Sequence, residues 1–361
     1  MNHEARVEAA RELMTRKGID VMLLSVGSDL PYFTGYVAMP LERLTMLVLP
    51  AAGPAVLVVP ELEAPRVVEI PGLFELHPWD ETEQPVSIVA GLLTGAHRVA
   101  LGDQTWATFL LQLQERLPSA TFVPASPLTA ELRMRKDPEE VEMLRRAGAA
   151  ADRVIDRLTR TPFSGKTERE LSRMISGWLL EEGHEIVDFA IVGSGPNGAS
   201  PHHEASDRVI EVGDAVVCDF GGSLGGYWSD TTRMFAVGHT PEGFDEPFKV
   251  LRRAQAAAVD AVRPGVAAAS IDAVARGMIA GAGYGEFFIH RTGHGIGTDV
   301  HEHPYIVEGN ETVLEPGMTF SIEPGIYLPG RFGMRIEDIV AVTPDGVERL
   351  NTSPRGLVTV E

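Results

Sequence analysis

Cysteine is all but missing from this chain of 361 residues: Cys218 stands alone, so no intramolecular disulfide can form and no cysteine-rich zinc module can be built. That composition fits a reducing compartment. Long apolar runs are missing too. The most apolar stretch, Leu44 to Val59, is interrupted by Pro50, Gly53 and Pro54, and it falls short of the about 20 residues that span a bilayer, so it reads as two strands and a turn. Positive charge is scarce: 31 Lys and Arg against 51 Asp and Glu leave a net charge of −20, which repels phosphate backbones and argues against general nucleic-acid binding. The first residues, MNHEARVEAARE, carry charge where a secretion signal needs an apolar core. With export not expected, the sequons at Asn310 and Asn351 are read as chance. The HExxH and GxxxxGK[ST] motifs are absent, and a P-loop site loses its main support. No fixed-period repeat stands out, so a solenoid is not indicated.

What is present is globular: 44% hydrophobic and 23% charged residues supply a packed core, and the length points to about two domains. Val7, Ala10, Leu13 and Met14 recur at helical spacing between Glu4 and Lys17, with Gly18 where a helix would stop. A strand over residues 20–25, strands within 45–59 and 98–101, and a helical stretch from Trp106 to Leu117 make residues 1–130 a mixed α/β domain. Near residue 130 the chain changes character. Pro138 stands where a helix could begin, and EEVEMLRRAGAAADRVIDRL follows with helical periodicity. Residues 131–361 form the second domain, with further helical stretches at 167–182, 247–262 and 270–280 and strands set off by Gly and Pro.

Three clusters could carry chemistry. Seven of the eleven histidines fall between residues 202 and 303, including His290, His294, His301 and His303 beside Gly293, Gly295 and Gly297. Glycines there let a backbone pass close to something. Second, DAVVCDFGGSLGGYWSDTTRMFAV reads as a hairpin that carries Asp219 and Asp230. Two readings stand side by side. Asp is disfavoured inside strands, and two facing carboxylates would repel unless protonated or bridged by a cation; alternatively, Asp219 bonds turn amides and Asp230 is exposed. Third, Glu323 follows the strand-like MTFSI and Glu337 lies within GMRIEDIVAV. If all four acids converged with His294, each pair at about 4 Å would repel by about 4 kcal/mol at an effective dielectric near 20, and the cluster could not persist ionised without cations. Such an oxygen-rich set suits Mn²⁺, Co²⁺, Zn²⁺ or Mg²⁺. GSGPNG at residues 193–198 spells GxGxxG, but Pro196 and Pro201 interrupt any following helix and argue against a dinucleotide site.

With Asp219 in VVCDFGG, Asp230 in YWSDTTR, His294 in HRTGHGIG, Glu323 in FSIEPG and Glu337 in MRIEDIV, the chain resembles the pita-bread metallopeptidases, which include prolidase, aminopeptidase P and methionine aminopeptidase. Its front unit resembles the creatinase-type domain of the prolidase and aminopeptidase P branch. The resemblance implies an α/β fold: a creatinase-like amino-terminal domain, then a pita-bread catalytic domain with an antiparallel sheet flanked by helices. It implies two divalent ions, Mn²⁺ ahead of Co²⁺ or Zn²⁺. Asp219 would chelate one ion, Asp230 and Glu337 would bridge both, and His294 with Glu323 would hold the other, with a hydroxide between them. Glu323 would also shuttle the proton to the leaving nitrogen. His202, His290, His301 and Arg335 would line the substrate site, with His202 and His301 bonding the substrate carbonyl; His203 and His303 would be packing or rim residues, and Tyr227 a weaker neighbour of the metals. The implied activity is hydrolysis of an Xaa-Pro bond in small peptides, as a dipeptidase or an aminopeptidase P, by a cytoplasmic homodimer without nucleic-acid or membrane partners. An inactive scaffold of the same fold, or a hydrolase of another ester, amide or organophosphorus compound, are the alternatives.

Overall fold

Short Val- and Leu-rich runs become the strands of a six-stranded sheet in the first of two compact units, Met1–Arg133 and Met134–Glu361, of a computed structural model that describes residues 2–361. The strands are β1 (Val21–Leu24), β2 (Met46–Pro50), β3 (Val56–Pro60), β4 (Glu75–Trp79), β5 (Arg98–Leu101) and β6 (Thr121–Pro124), in the spatial order β4-β3-β2-β1-β5-β6. β2 pairs antiparallel with β1 and β3, and the other neighbours are parallel. Helices α1 (His3–Lys17), α2 (Asp29–Thr34), α3 (Pro85–Leu92), α4 (Ala107–Arg116) and α5 (Ser126–Arg133) complete the unit. Successive strand residues face opposite sides. Met22 and Leu24 therefore join a core with Val7, Leu13 and Leu128, while Val21 and Leu23 join another with Val89 and Leu113. Burial on both faces explains why these strands are apolar throughout. α1 starts where Asn2 accepts from the amide of Ala5 at 3.0 Å and stops where Gly18 turns left-handed, as its spacing predicts.

The second unit opens with α6 (Pro138–Leu158), whose start carries a capping box between Asp137 and Glu140. α7 (Glu168–Glu181), β7 (Ile186–Ser194), β8 (Ala215–Leu224), β9 (Tyr227–Val237), α8 (Asp245–Ala261) and α9 (Ala268–Gly281) follow. Then come β10 (Gly293–Gly295), β11 (Glu302–Ile306), β12 (Thr319–Ile322), β13 (Gly325–Leu328), β14 (Phe332–Arg335), β15 (Asp338–Thr343), β16 (Gly346–Arg349) and β17 (Val358–Val360). One sheet runs β17-β9-β8-β7 and a second runs β11-β10-β12-β15-β16, with β13 and β14 as a separate ribbon. Helices α6 and α7 pack on the first sheet through Leu158, Leu171, Val216, Cys218 and Phe220. Helices α8 and α9 pack on the second through Leu251, Ile271, Phe320 and Val340. Among the described residues no helix is long and apolar enough to cross a membrane.

The β8–β9 hairpin turns at Gly225 and Gly226, both at positive φ as a tight two-residue hairpin turn requires. The turn comes later than the glycines after Phe220 suggest, because Gly221 and Gly222 stay inside β8. The run Gly221–Gly225 also spells GxSxG, the sequence of a hydrolase nucleophile elbow. Ser223 nevertheless sits in a hairpin and not at a strand-to-helix turn, so no elbow is built. GSGPNG forms a short 3₁₀ turn, Gly195–Ala199, with no following helix to receive a phosphate.

Candidate metal centre

Strand alternation places the acids. In β8, Val216, Cys218 and Phe220 point into the helical core, so Asp219 points to the opposite face. Across the hairpin Asp219 pairs with Thr232 and Gly221 with Asp230, which makes Asp219 and Asp230 diagonal neighbours on one face. In β12 and the residue after it, Phe320 and Ile322 face α8 and α9, leaving Ser321 and Glu323 on the other side; from the end of β14 onward, Met334 and Ile336 face the core while Arg335 and Glu337 do not. His294 arrives on β10, which lies so close to β12 that a Cβ on Gly293 would stand 1.9 Å from the carbonyl oxygen of Ser321. Only glycine fits there.

These side chains meet around one cavity of about 550 Å³, lined by Asp219, Asp230, His294, Glu323 and Glu337. Two triples illustrate the packing: Asp219, Asp230 and Glu337, and His294 with Glu323 and Glu337, each offer ligand atoms within 4.8 Å of one another. A third group joins Asp230, His294 and His301, a role for His301 that the sequence does not suggest. His294 Nε2 lies 3.2 Å from Glu323 Oε1 and 3.6 Å from Asp230 Oδ2, and its Nδ1 bonds the Gly295 carbonyl at 3.1 Å. That bond fixes the ring so that Nε2 faces the acids. Glu337 Oε2 accepts from Thr232 Oγ1 at 2.8 Å, and Arg335 Nη2 donates to Asp219 Oδ2.

Burial drives the Asp219 and Glu337 carboxyls up from their ordinary range, and the neighbouring acids push the same way. Asp230 is raised to about 7, again chiefly by burial. Burial alone would lower His294, but its bonds to Asp230 and Glu323 outweigh it and raise the imidazole to about 10; the same pairing overcomes burial at Glu323 and holds it at about 2. Among the described residues, Asp219 Oδ1, Asp230 Oδ1 and Glu337 Oε1 are buried with no hydrogen-bond partner. Unpaired carboxylate oxygens in an apolar interior are costly, and a cation is the one partner all three can share. Four carboxylates and an imidazole suit a hard or borderline divalent ion. The residues present fit such ions.

Of the other residues singled out from the sequence, His202, His290, His301 and Arg335 also line the cavity. Both ring nitrogens of His290 are already engaged: Nδ1 with the Arg291 carbonyl at 2.7 Å and Nε2 with the Tyr327 hydroxyl at 2.9 Å. Tyr327 accepts from Arg335 Nη1 at 2.7 Å and so gives its own proton to His290, which makes Nδ1 the protonated nitrogen of that ring. Burial raises Tyr327 to about 12 and lowers His290. Tyr227 lies elsewhere: it donates to Glu140 at 2.9 Å in the contact with α6 and does not reach the cavity. An aromatic at a strand start was free to pack either way, and the helix took it. His203 turns away from the cavity toward Glu168, at 2.7 Å. Tyr327, Thr232 and Arg291 went unnoticed in the sequence. The only signal for Tyr327 was its place four residues after Glu323, on a ribbon whose fold the sequence does not announce.

The sequence profile described as metallopeptidase family M24 matches residues 142–344, and that of the creatinase/prolidase N-terminal domain matches residues 6–135. The chain is 44% identical over 360 residues to a Mycobacterium tuberculosis protein named "Probable dipeptidase PepE", covering 98% of this chain and 96% of that one. It is 36% identical over 351 residues to the Xaa-Pro dipeptidase of Lactobacillus helveticus, covering 94% of each. The solved structure of recombinant prolidase from Thermococcus sibiricus superposes with a TM-score of 0.95 at 39% identity over 100% of both chains.

Proposed function

Because this chain belongs to metallopeptidase family M24, we propose that it is a metal-dependent exopeptidase that hydrolyses Xaa-Pro bonds, with the free dipeptide as its preferred substrate. The observation that carries the reading is the convergence of four acids and an imidazole, three carboxylate oxygens of which are buried without a partner among the described residues. Asp219, Asp230, His294, Glu323 and Glu337 would hold two divalent ions, Mn²⁺ ahead of Co²⁺ or Zn²⁺. Such a pair, when bound, brings water toward ionisation near neutral pH and polarises the scissile carbonyl.

The rest of the chemistry belongs to side chains of this chain. Glu323, bonded to Ser321 Oγ at 3.1 Å, takes the proton released by the attacking water and delivers it to the proline nitrogen as that bond breaks. His202 and His301, on the cavity wall, donate to the carbonyl oxygen as negative charge builds there. His290 and Tyr327 hold Arg335, and Arg335 holds Asp219. Phe189, Ile191 and Val300 offer apolar walls to the proline ring and the side chain before it. Arg291 also lines the cavity, and a cation there suits the free carboxylate of a dipeptide, which favours a dipeptidase over release of Xaa from longer peptides.

The reading extends to a cytoplasmic homodimer that acts on small peptides, with no nucleic-acid or membrane partner. Hydrolysis of Leu-Pro and Ala-Pro is compared with that of Ala-Pro-Ala under added Mn²⁺. A kcat/KM for the dipeptides at least about tenfold higher supports the dipeptidase, and the reverse order makes the enzyme an aminopeptidase P. Failure to cleave either, with metal loaded, overturns the reading.

A further inference from the structure

The segment from Ser194 to Ser206 brings His202 to the cavity, and it is held from two sides. On one side its short 3₁₀ turn lies on β14, where a Cβ on Gly333 would stand 1.9 Å from the Gly198 carbonyl oxygen, and the Pro201 carbonyl accepts from Arg335 Nη1 at 3.4 Å. On the other side stands Glu168, the first residue of α7, fully buried and outside the cavity. Its Oε1 accepts from Ser194 N at 2.8 Å, Ser194 Oγ at 2.7 Å and Asn197 Nδ2 at 3.1 Å. Its Oε2 accepts from Ser206 N at 3.1 Å, Ser206 Oγ at 2.6 Å and His203 Nε2 at 2.7 Å. One carboxylate therefore gathers both ends and the middle of the segment. The Ser194 hydroxyl in turn accepts from Arg208 Nη1 at 2.6 Å, and Arg208 pairs with Asp214 at 2.6 Å.

A cage of six donors on one buried carboxylate exceeds what capping α7 requires, since Thr167 already caps that helix. Every donor belongs to the segment that ends against the cavity, and His203, bound in the cage, is the immediate neighbour of His202, which lines the cavity. We propose that Glu168, with His203, is a positioning residue of the active site: by fixing the segment from Ser194 to Ser206 it sets where His202 stands against the scissile carbonyl. The inference rests on the hydrolase reading above only for the part played by His202.

Glu168→Gln tests it sharply. Both carboxylate oxygens accept from a backbone N–H, so whichever way the amide is turned its NH₂ opposes a donor that cannot move away. Four manganese-loaded enzymes are compared on Leu-Pro: wild type, Glu168→Gln, His202→Ala and the double variant. The expected result is a fall in kcat on the order of tenfold or more for Glu168→Gln, with KM changed by less than about threefold. In the His202→Ala background the same substitution changes kcat by less than about twofold, because its effect runs through that imidazole. An equal fall in both backgrounds, or an unchanged kcat with a lower Tm alone, overturns the proposal. Amide hydrogen exchange supplies a readout that needs no activity. Exchange over residues 195–206 should accelerate at least about tenfold in Glu168→Gln while residues 215–237 match wild type, and unchanged exchange overturns the cage itself. Should Glu168→Gln fail to fold, Ser206→Ala, which removes one hydroxyl donor, enters the same cycle and the same exchange measurement with the same criteria. A wild type that leaves Leu-Pro intact counts against the hydrolase reading, and the exchange result still decides the cage.

Discussion

The second unit buries carboxylates in two different ways, and the contrast separates acids that hold the fold from acids that await a ligand. Around Asp338 and Glu168 every carboxylate oxygen has a protein partner. Asp338 accepts from Arg233 Nη2 at 2.7 Å, Arg355 Nη1 at 2.7 Å and Gln255 Nε2 at 3.0 Å, and Glu168 from its cage of six donors. Around Asp230 the acids face one another instead, and Asp219, Asp230 and Glu337 each keep one buried oxygen unpaired among the described residues. The carboxyls respond in opposite directions. Burial alone would raise Glu168, yet the bonds from Ser206, Ser194 and His203 outweigh it and hold the group at about 2, whereas burial and like charge raise Asp230 to about 7. Glu337 and Asp338 are neighbours in sequence and fall on opposite sides of this divide because successive residues of an extended chain face opposite ways.

The contrast is open to attack on both sides. The largest effect is expected from Asp230→Asn, which should lower Xaa-Pro hydrolysis by on the order of a thousandfold or more while leaving the circular-dichroism spectrum unchanged. Activity within about tenfold of wild type would remove Asp230 from the reacting machinery. Next, Asp338→Asn should leave kcat per folded molecule near wild type but destabilise the chain by about 3–5 kcal/mol, because Arg233, fully buried beside it, loses its counter-charge. Denaturant melts measure this, and a loss below about 1 kcal/mol would mean that the pair matters little.

A smaller effect belongs to pH. The folded-state value of Glu168 lies below its unfolded value of about 4.5, so its stabilisation is complete above that value and is lost as pH falls toward about 2. Wild type should therefore lose on the order of 3 kcal/mol more than Glu168→Gln between about pH 5 and pH 2, in chelated protein followed by urea unfolding. Parallel curves for the two proteins would show that Glu168 is not held ionised. The smallest effect has the more telling sign. At pH 8 in the presence of chelator, Glu337→Gln should raise the stability by about 1 kcal/mol, since it removes a charge from an uncompensated cluster. With Mn²⁺ in excess the order should invert, as wild type gains binding free energy that the variant forfeits. The same ranking with and without metal would place Glu337 among the structural acids.

Much of this organisation is legible along the chain, and the limit falls at identifiable residues. The hairpin that bears Asp219 and Asp230, and the out-of-phase position of Glu323 after Phe320 and Ile322, follow from alternation within a single strand. The start of α6 at Pro138 follows from local capping chemistry, and the end of α1 at Gly18 from a left-handed cap. Glu168 could not be told from an ordinary first-turn acid, because all six of these hydrogen bonds come from residues 26 to 38 positions away, at the end of β7 and in the aperiodic segment after it. Tyr327 and Asp338 are hidden for the same reason, since their partners lie on other elements and loops. Tyr227 shows the converse: the sequence places it on Asp230's own strand, and packing against α6 decides where its hydroxyl goes.

By itself, then, the sequence determined which residues have chemistry to offer and which face of each strand they occupy, because side-chain alternation is a property of a few consecutive peptide units. Only the tertiary structure decided that the faces bearing Asp219, Asp230, His294, Glu323 and Glu337 meet, and which buried oxygens find a donor and which do not. Those outcomes depend on how two sheets pack across more than a hundred residues of intervening chain, and hydrogen-bond satisfaction is set by that packing, at a distance of a few ångströms, whatever the separation in sequence.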